Sequence, residues 1–296
     1  MAKKLYILLI VLVLGNAGYS QFVGKDPLSV ALFYMQKTEL DSAKKYMDIA
    51  VQDAELNSQA KTWYYSGFLY KDLYKAKQKD DKDSQYRLQS IEALKTMQKL
   101  DTLGEFSESA SKILKYLAST LYNDAARLLD PNNYKKAISN YEMYKSTMKA
   151  SNPNTDFAAQ DVKFKMALAS MLNKPAETAQ GLDSAQTVYI KSLYIEILEI
   201  DPDNAGANYN LATLYYNEAA DIINNMDYDM DILKLNEIQD YCIEIFLKGL
   251  PYMKKSYDLN YKRKETLIGL SNIYYGLNDI EKSEQYKKEL EELEKE

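Results

Sequence analysis

Near neutral pH, the groups in this chain that could ligate a metal or exchange a proton are nearly all carboxylates. There are 43 Asp and Glu, no His and a single Cys. Without His, the Ser-His-Asp and Cys-His arrangements, His-built zinc sites and the usual general base near neutral pH are all excluded. The lone Cys242 cannot form an internal disulfide. It lies between Tyr241 and Ile243 in a helical run and reads as a buried small hydrophobe, not a reactive thiol. The carboxylate spacing nearest to a ligand set is Asp227-Tyr228-Asp229-Met230-Asp231, which alternates like the opening of a calcium-binding loop. Such a loop needs Gly at its sixth place and Glu at its twelfth. Those places hold Ile232 and Ile238, with Glu237 one residue early, so the run reads as a solvated acidic helix start. Lys79-Asp80-Asp81-Lys82-Asp83 mixes both signs and reads as an exposed loop.

A glycosidase needs only two placed carboxylates, and a helical-toroid glycosidase is the enzyme class this composition permits. One Trp and no His argue against such a sugar cleft, and among so many acids no pair stands out. The chain is therefore expected to be no enzyme, with no catalytic residue, no cofactor and no metal.

The elements that would carry any site are helices. Ten Gly and six Pro leave little turn material for many short strands, while Leu, Ala, Lys, Glu and Met are abundant. The compositional oddity is 27 Tyr. Tyr joins a large apolar body to a polar tip, which suits half-buried helix faces and binding surfaces alike. The net charge of −6, with no long basic run, excludes a nucleic-acid footprint.

At the N-terminus, Lys3 and Lys4 precede an apolar run from Leu5 to Leu14, then Gly15-Asn16-Ala17-Gly18-Tyr19-Ser20. A basic start, a short apolar core and a small-residue zone are the order of a secretory signal peptide. The core is too short to cross a bilayer, which takes about 20 residues. Cleavage is expected between Ser20 and Gln21, leaving residues 21–296 as one domain without stable membrane insertion. Removal of Lys3 and Lys4 takes the charge from −6 to −8. No Cys stands at the cleavage zone for lipid attachment. The expected location is the periplasm or outer cell envelope.

The best-ordered pattern is Asp201-Pro202-Asp203-Asn204, followed by Asn208-Tyr209-Asn210-Leu211-Ala212-Thr213-Leu214-Tyr215-Tyr216. One helix ends at the Asp-Pro turn, and the next opens with apolar, small and aromatic residues at helical spacing. Related patterns recur. The first unit has Val30, Ala31 and Tyr34, then Ala43, Met47 and Ala50; the second has Trp63, Ser66, Gly67 and Tyr70, then Ala93 and Met97. The third has Leu114, Leu117, Ala118 and Leu121, then Ala137, Ile138 and Tyr141. A fourth of unfixed register falls at Val162–Leu172 and Ser184–Ile200. The fifth adds Gly249, Met253 and Ser256; the sixth has Leu267, Leu270, Ser271 and Tyr274, then Ser283.

Over about Pro27 to Glu289 this resembles the tetratricopeptide repeat (TPR) family, with its W-x2-L-G-x2-Y first helix, A-x3-F second helix and following Pro. Extra residues near Lys75–Gln85, Asp124–Asn132 and Ala219–Gln239 depart from the regular spacing and imply lengthened helices or loops. The resemblance implies an all-α, right-handed superhelical solenoid of about six helical hairpins. The charged run Glu284 to Glu296 would form its C-terminal capping helix.

In TPR arrays the first helix of each unit lines the concave face and contacts the ligand. The matching slots here hold Tyr64, Tyr65 and Phe68; Lys115, Tyr116, Ser119, Tyr122 and Asn123; Tyr209, Asn210, Thr213, Tyr216 and Asn217; and Asn272 and Tyr275. The family's Lys/Asn/Arg clamp for a terminal carboxylate is absent in recognisable form, because Lys115 is the one cation among these slots. The resemblance implies a non-catalytic scaffold that holds a protein or peptide. A glycan- or peptidoglycan-binding module, with the tyrosines as stacking platforms, is the alternative. Structural packing against the second helices competes with both for the same rings.

Overall fold

The computed structural model describes residues 25–174, 184–227 and 229–295. The expected leader, its cleavage point and Tyr228 lie outside the described residues. Among the described residues twelve α-helices follow one another: α1 (Pro27–Gln36), α2 (Leu40–Ala50), α3 (Ala60–Lys77), α4 (Gln85–Leu100), α5 (Ser107–Arg127), α6 (Tyr134–Ser151), α7 (Ala158–Leu172), α8 (Ser184–Ile200), α9 (Ala205–Asn225), α10 (Ile232–Asp258), α11 (Arg263–Gly276) and α12 (Ile280–Leu293). One 3₁₀ turn, Leu56–Ser58, precedes α3, and no strand occurs among the described residues.

Local chemistry sets where these helices begin. Asp26, Ser84, Asn204 and Asp279 each turn a side-chain oxygen onto the backbone N–H three residues on, satisfying a donor that the first turn leaves unpaired. Asp231 does the same for Leu233 N–H at 2.7 Å, so the acidic run before α10 is a helix cap. At the Asp-Pro turn, Asn208 is buried and its amide donates to the carbonyls of both Pro202 and Asn204, at 3.0 Å each. Asn208 thereby fastens α9 to the turn that precedes it.

Consecutive helices pair as α1/α2, α3/α4, α7/α8, α9/α10 and α11/α12, while α5 and α6 meet through side chains. The extra residues foreseen between paired helices lengthen them. Helix α3 reaches Lys77, α5 and α9 run for 21 residues, and α10 for 27. The charged C-terminal run is α12 itself, the second helix of the last hairpin. The chain divides into two compact units, α1–α6 and α7–α12, with residues 129–134 belonging to the second. A core in the first unit gathers Leu28, Ala31, Ala43, Met47, Leu69 and Leu73; one in the second gathers Ala212, Ile245, Phe246, Met253, Leu270 and Ile273.

Two devices recur within the hairpins. The first is a close crossing lined by small residues. A Cβ added to Gly67 would lie 2.5 Å from Leu94 Cγ, and one on Gly249 would lie 2.9 Å from Tyr215 Cβ. Hydroxyls at such crossings donate to the partner helix backbone: Ser90 to the Gly67 carbonyl at 2.7 Å, and Ser271 and Ser283 each to the other's carbonyl at 3.1 and 2.9 Å. The second is a tyrosine pair across the hairpin. Tyr34 stacks on Tyr46, Tyr215 on Tyr252 and Tyr274 on Tyr286, with ring centroids 5.6, 6.4 and 5.7 Å apart. Tyr70 with Tyr86, and Tyr122 with Tyr141, fill the same role at a tilt. Much of the unusual tyrosine content is thus hairpin structure.

Burial pushes up the phenol pKa of Tyr70, Tyr194, Tyr215 and Tyr286, and at Tyr70 the hydrogen bond to Asp48 raises it further. Folded tyrosines therefore keep protons that the unfolded chain releases above its ordinary value of 10.0. Stability should be level up to about pH 9 and fall as pH rises past about 10, as urea melts across that range would show. Gly67→Ala should destabilise by about 1–3 kcal/mol, because Leu94 Cγ sits close to its own backbone. At Gly269 the added carbon would meet the flexible end of Met253 at 2.5 Å. Gly269→Ala should therefore lower the melting temperature less than Gly67→Ala.

Candidate partner-binding faces

In the first unit, α3 turns Lys61, Tyr64, Phe68, Lys71 and Lys75 to one side, at the spacing of a single helical stripe. Helix α5 presents Lys115, Tyr116, Ser119, Tyr122 and Asn123. Tyr64 is half-buried and stacks on Phe106, just before α5, at 4.7 Å. Tyr65 packs against the α1–α3 core. Lys71 Nζ lies 3.8 Å from the Phe68 ring centre, where its charge meets the negative π face, and pairs with Asp72 at 2.6 Å. Lys75 reaches across from α3 to sit 5.5 Å from the Tyr116 ring centre. Burial raises the Tyr116 phenol pKa, nearby Tyr74 adds to that, and Arg87 opposes it. Tyr122 turns to α6, 5.1 Å from Tyr144 and 6.2 Å from Tyr141, both buried. Lys115, Ser119 and Asn123 are exposed.

A buried network underlies this face. Arg87 of α4 is 1% exposed; its Nη1 donates to Asp124 at 2.6 Å and to Thr120 at 3.3 Å, both on α5. Its Nη2 donates to the Lys82 carbonyl at 2.7 Å, and its guanidinium lies 5.4 Å from the Tyr74 ring centre.

In the second unit, α9 and α11 carry the remaining residues. Tyr209 packs against Tyr261 at 5.9 Å with Lys262 Nζ 4.6 Å from its ring centre. Asn210 lies beside the buried Tyr194 hydroxyl on α8, so it faces inward. Thr213 donates to the Tyr209 carbonyl at 2.8 Å. Tyr216 rests 6.1 Å from Phe246 and accepts from the Asn272 amide at 3.3 Å. Asn217 and Asn272 are exposed, and Tyr275 is the most open ring of the set, at 70%. Ile268, 39% exposed, joins them one turn before Asn272.

The two faces differ in charge. Helices α1, α3 and α5 hold seven Lys and Arg against three Asp and Glu, whereas α9 and α11 hold Arg263 and Lys264 against Glu218, Asp221 and Glu265. Sequence reasoning missed Lys71 and Lys75, although the Tyr64–Phe68 stripe continued by one turn would have found them. It also missed Phe106, Tyr261 and Lys262, which lie outside the helices and have no periodic signal. Among the described residues no group of three His, Cys, Asp or Glu is placed to hold a metal ion, and no helix is long and apolar enough to cross a membrane. Cys242 is buried, 3.8 Å from the Ala219 carbonyl, and burial raises its thiol pKa.

No family model matches the chain, and no curated protein matches it. Among solved structures it is similar to the TPR domain of P58(IPK), at 16% identity over 92% of this chain and 68% of that one, with a TM-score of 0.26. So loose a superposition leaves the two faces to be defined by the hairpins' own packing.

That packing separates the tyrosines into two kinds. Tyr122→Ala removes a ring held between buried Tyr141 and Tyr144 and should destabilise by about 2–4 kcal/mol. Tyr275→Ala should change stability by no more than about 0.5 kcal/mol. Thermal melts of the two variants side by side check the contrast.

Proposed function

We propose that the protein is an exported, non-catalytic scaffold of the bacterial cell envelope that holds a protein or peptide on the first-helix faces of its hairpins. The observation that carries this reading is the set of polar and aromatic side chains that hairpin packing leaves over. In the first unit these are Lys115, Ser119 and Asn123; in the second, Asn217, Asn272 and Tyr275. Tyr offers broad rigid contact at small entropic loss, and Asn and Ser offer adaptable hydrogen bonds, a mixture suited to recognition. Binding would rest on shape and hydrogen-bond complementarity, with no cofactor. The leader pattern of Lys3, Lys4 and Leu5–Leu14 supports export.

The immobilised protein should retain a defined protein from an envelope extract. Asn217→Ala/Tyr275→Ala and Lys115→Ala/Asn123→Ala, tested separately, should show which face is used, with at least about a tenfold loss of affinity in one of them. Undiminished capture by both variants would remove these faces from the interface. Saturable glycan binding without any protein partner would replace the scaffold reading by a glycan-binding one. N-terminal sequencing of the released protein should begin at Gln21; retention of Met1 would defeat export by cleavage.

A further inference from the structure

The first unit concentrates positive charge that the chain as a whole lacks. From Gln21 onward, residues assigned to it include 20 Lys and Arg against 16 Asp and Glu, whereas the second unit has 15 against 27. Part of that excess lies on the α3–α5 face with its cations unspent. Lys61, Lys75 and Lys115 are exposed and have no carboxylate partner among the described residues. Of the carboxylates on α3 and α5, Asp72 is engaged by Lys71 and Glu108 by Lys112, each at 2.6 Å, while Asp53, Glu55, Asp101 and Glu105 line the hollows beside Lys61. Asp124 is turned inward to Arg87. Tyr64, Phe68 and Tyr116 alternate with the lysines, and Lys71 and Lys75 stand over the Phe68 and Tyr116 rings.

We infer that the α3–α5 face binds an extended acidic protein segment, one that alternates carboxylate and apolar or aromatic side chains. This rests on the scaffold reading above and adds the chemistry of the partner. Three arguments select that occupant. The unpaired lysines need anions, and a carboxylate that replaces water beside a ring-backed ammonium gains from both charge and contact. Along the Lys61–Lys75 stripe the cations are lysines, which bind as point charges; of the forked guanidiniums that favour phosphate, Arg87 is buried and occupied, and Arg127 stands at the last residue of α5, beyond the stripe. The stripe also has a length. Lys61 and Lys75 are 14 residues apart on α3, about 21 Å at 1.5 Å per residue. At about 3.3 Å per residue, an extended segment of six or seven residues spans that distance. Recognition by side-chain carboxylates along the stripe makes no use of a free chain end, which distinguishes it from capture of a terminal carboxylate.

The test is fluorescence anisotropy on the full protein, purified from cells expressing it with its own leader. The probe is a labelled heptapeptide alternating Glu and Tyr and blocked at both ends. Binding is expected, weakening steeply with added salt, and the same peptide with Lys for Glu should not bind. Lys75→Glu/Lys115→Glu should weaken binding at least about tenfold, and Lys75→Gln/Lys115→Gln should fall between. Melting temperatures close to wild type would show that the losses are not unfolding. The inference is overturned if the blocked peptide fails to bind, or binds both double variants as it binds wild type. It is equally overturned if only a free C-terminus confers binding, or if inorganic polyphosphate or heparin binds where the peptide does not. Should any of these occur while a protein is still captured from the envelope extract, the scaffold reading stands and the acidic partner falls.

Discussion

The structure depends first on how closely the two helices of a hairpin approach. At Gly67 and Gly249 the partner helix comes so near that a single added carbon would overlap it. Backbone this close leaves space only for hydrogen, methyl or hydroxymethyl groups, and a hydroxyl placed there must find a partner because water is excluded. It finds one in the facing carbonyl, as Ser90 does with Gly67 and as Ser271 and Ser283 do with each other. Ser111 and Ser151 repeat the reciprocal pattern between α5 and α6. Bulk excluded from the crossing must go to its flanks. The stacked Tyr34–Tyr46, Tyr215–Tyr252 and Tyr274–Tyr286 pairs occupy those flanks, covering apolar ring faces with one another.

The same constraint decides what remains for binding. Residues one turn from the crossing are drawn into the next layer of packing: Tyr122 onto α6, Tyr216 onto Phe246, Asn210 toward Tyr194. Those on the far side of the helix, such as Lys115, Asn217 and Tyr275, are free of it. A first-helix position is therefore not a binding position by virtue of its slot. It becomes one when no ring from a neighbouring helix or loop reaches it.

This also explains what could be read from the sequence. The crossing residues leave a periodic trace, so Ala118, Leu121, Leu211, Ala212 and Leu270 were identifiable as core and are fully buried. The turn at Asp201–Asn204 was legible because capping chemistry is local, acting through Asn204 and the Ala207 N–H. The fate of each tyrosine was not legible, since it is fixed by groups remote in the chain. Phe106 reaches Tyr64 across 42 positions, and Tyr261 reaches Tyr209 across 52. Division of the chain into two compact units left no mark either, because the local helical pattern runs on past Thr155 as it does before it.

Arg87 shows why a mostly apolar scaffold retains a buried charge. Removing a guanidinium and a carboxylate from water costs several kcal/mol each. Two apolar side chains of similar size could hold α4 against α5 without that loss. What they could not do is fix direction. Arg87 joins Asp124 and Thr120 on α5 to the Lys82 carbonyl ahead of α4, while lying against Tyr74 of α3. One side chain thus ties three helices and a loop in a single register, because its donors point at fixed angles. That register places α3 beside α5 so that Lys75 can cover the Tyr116 ring. Specific placement of these two helices, more than added stability, is what the ion pair provides, and the cationic face of the first unit is built on it.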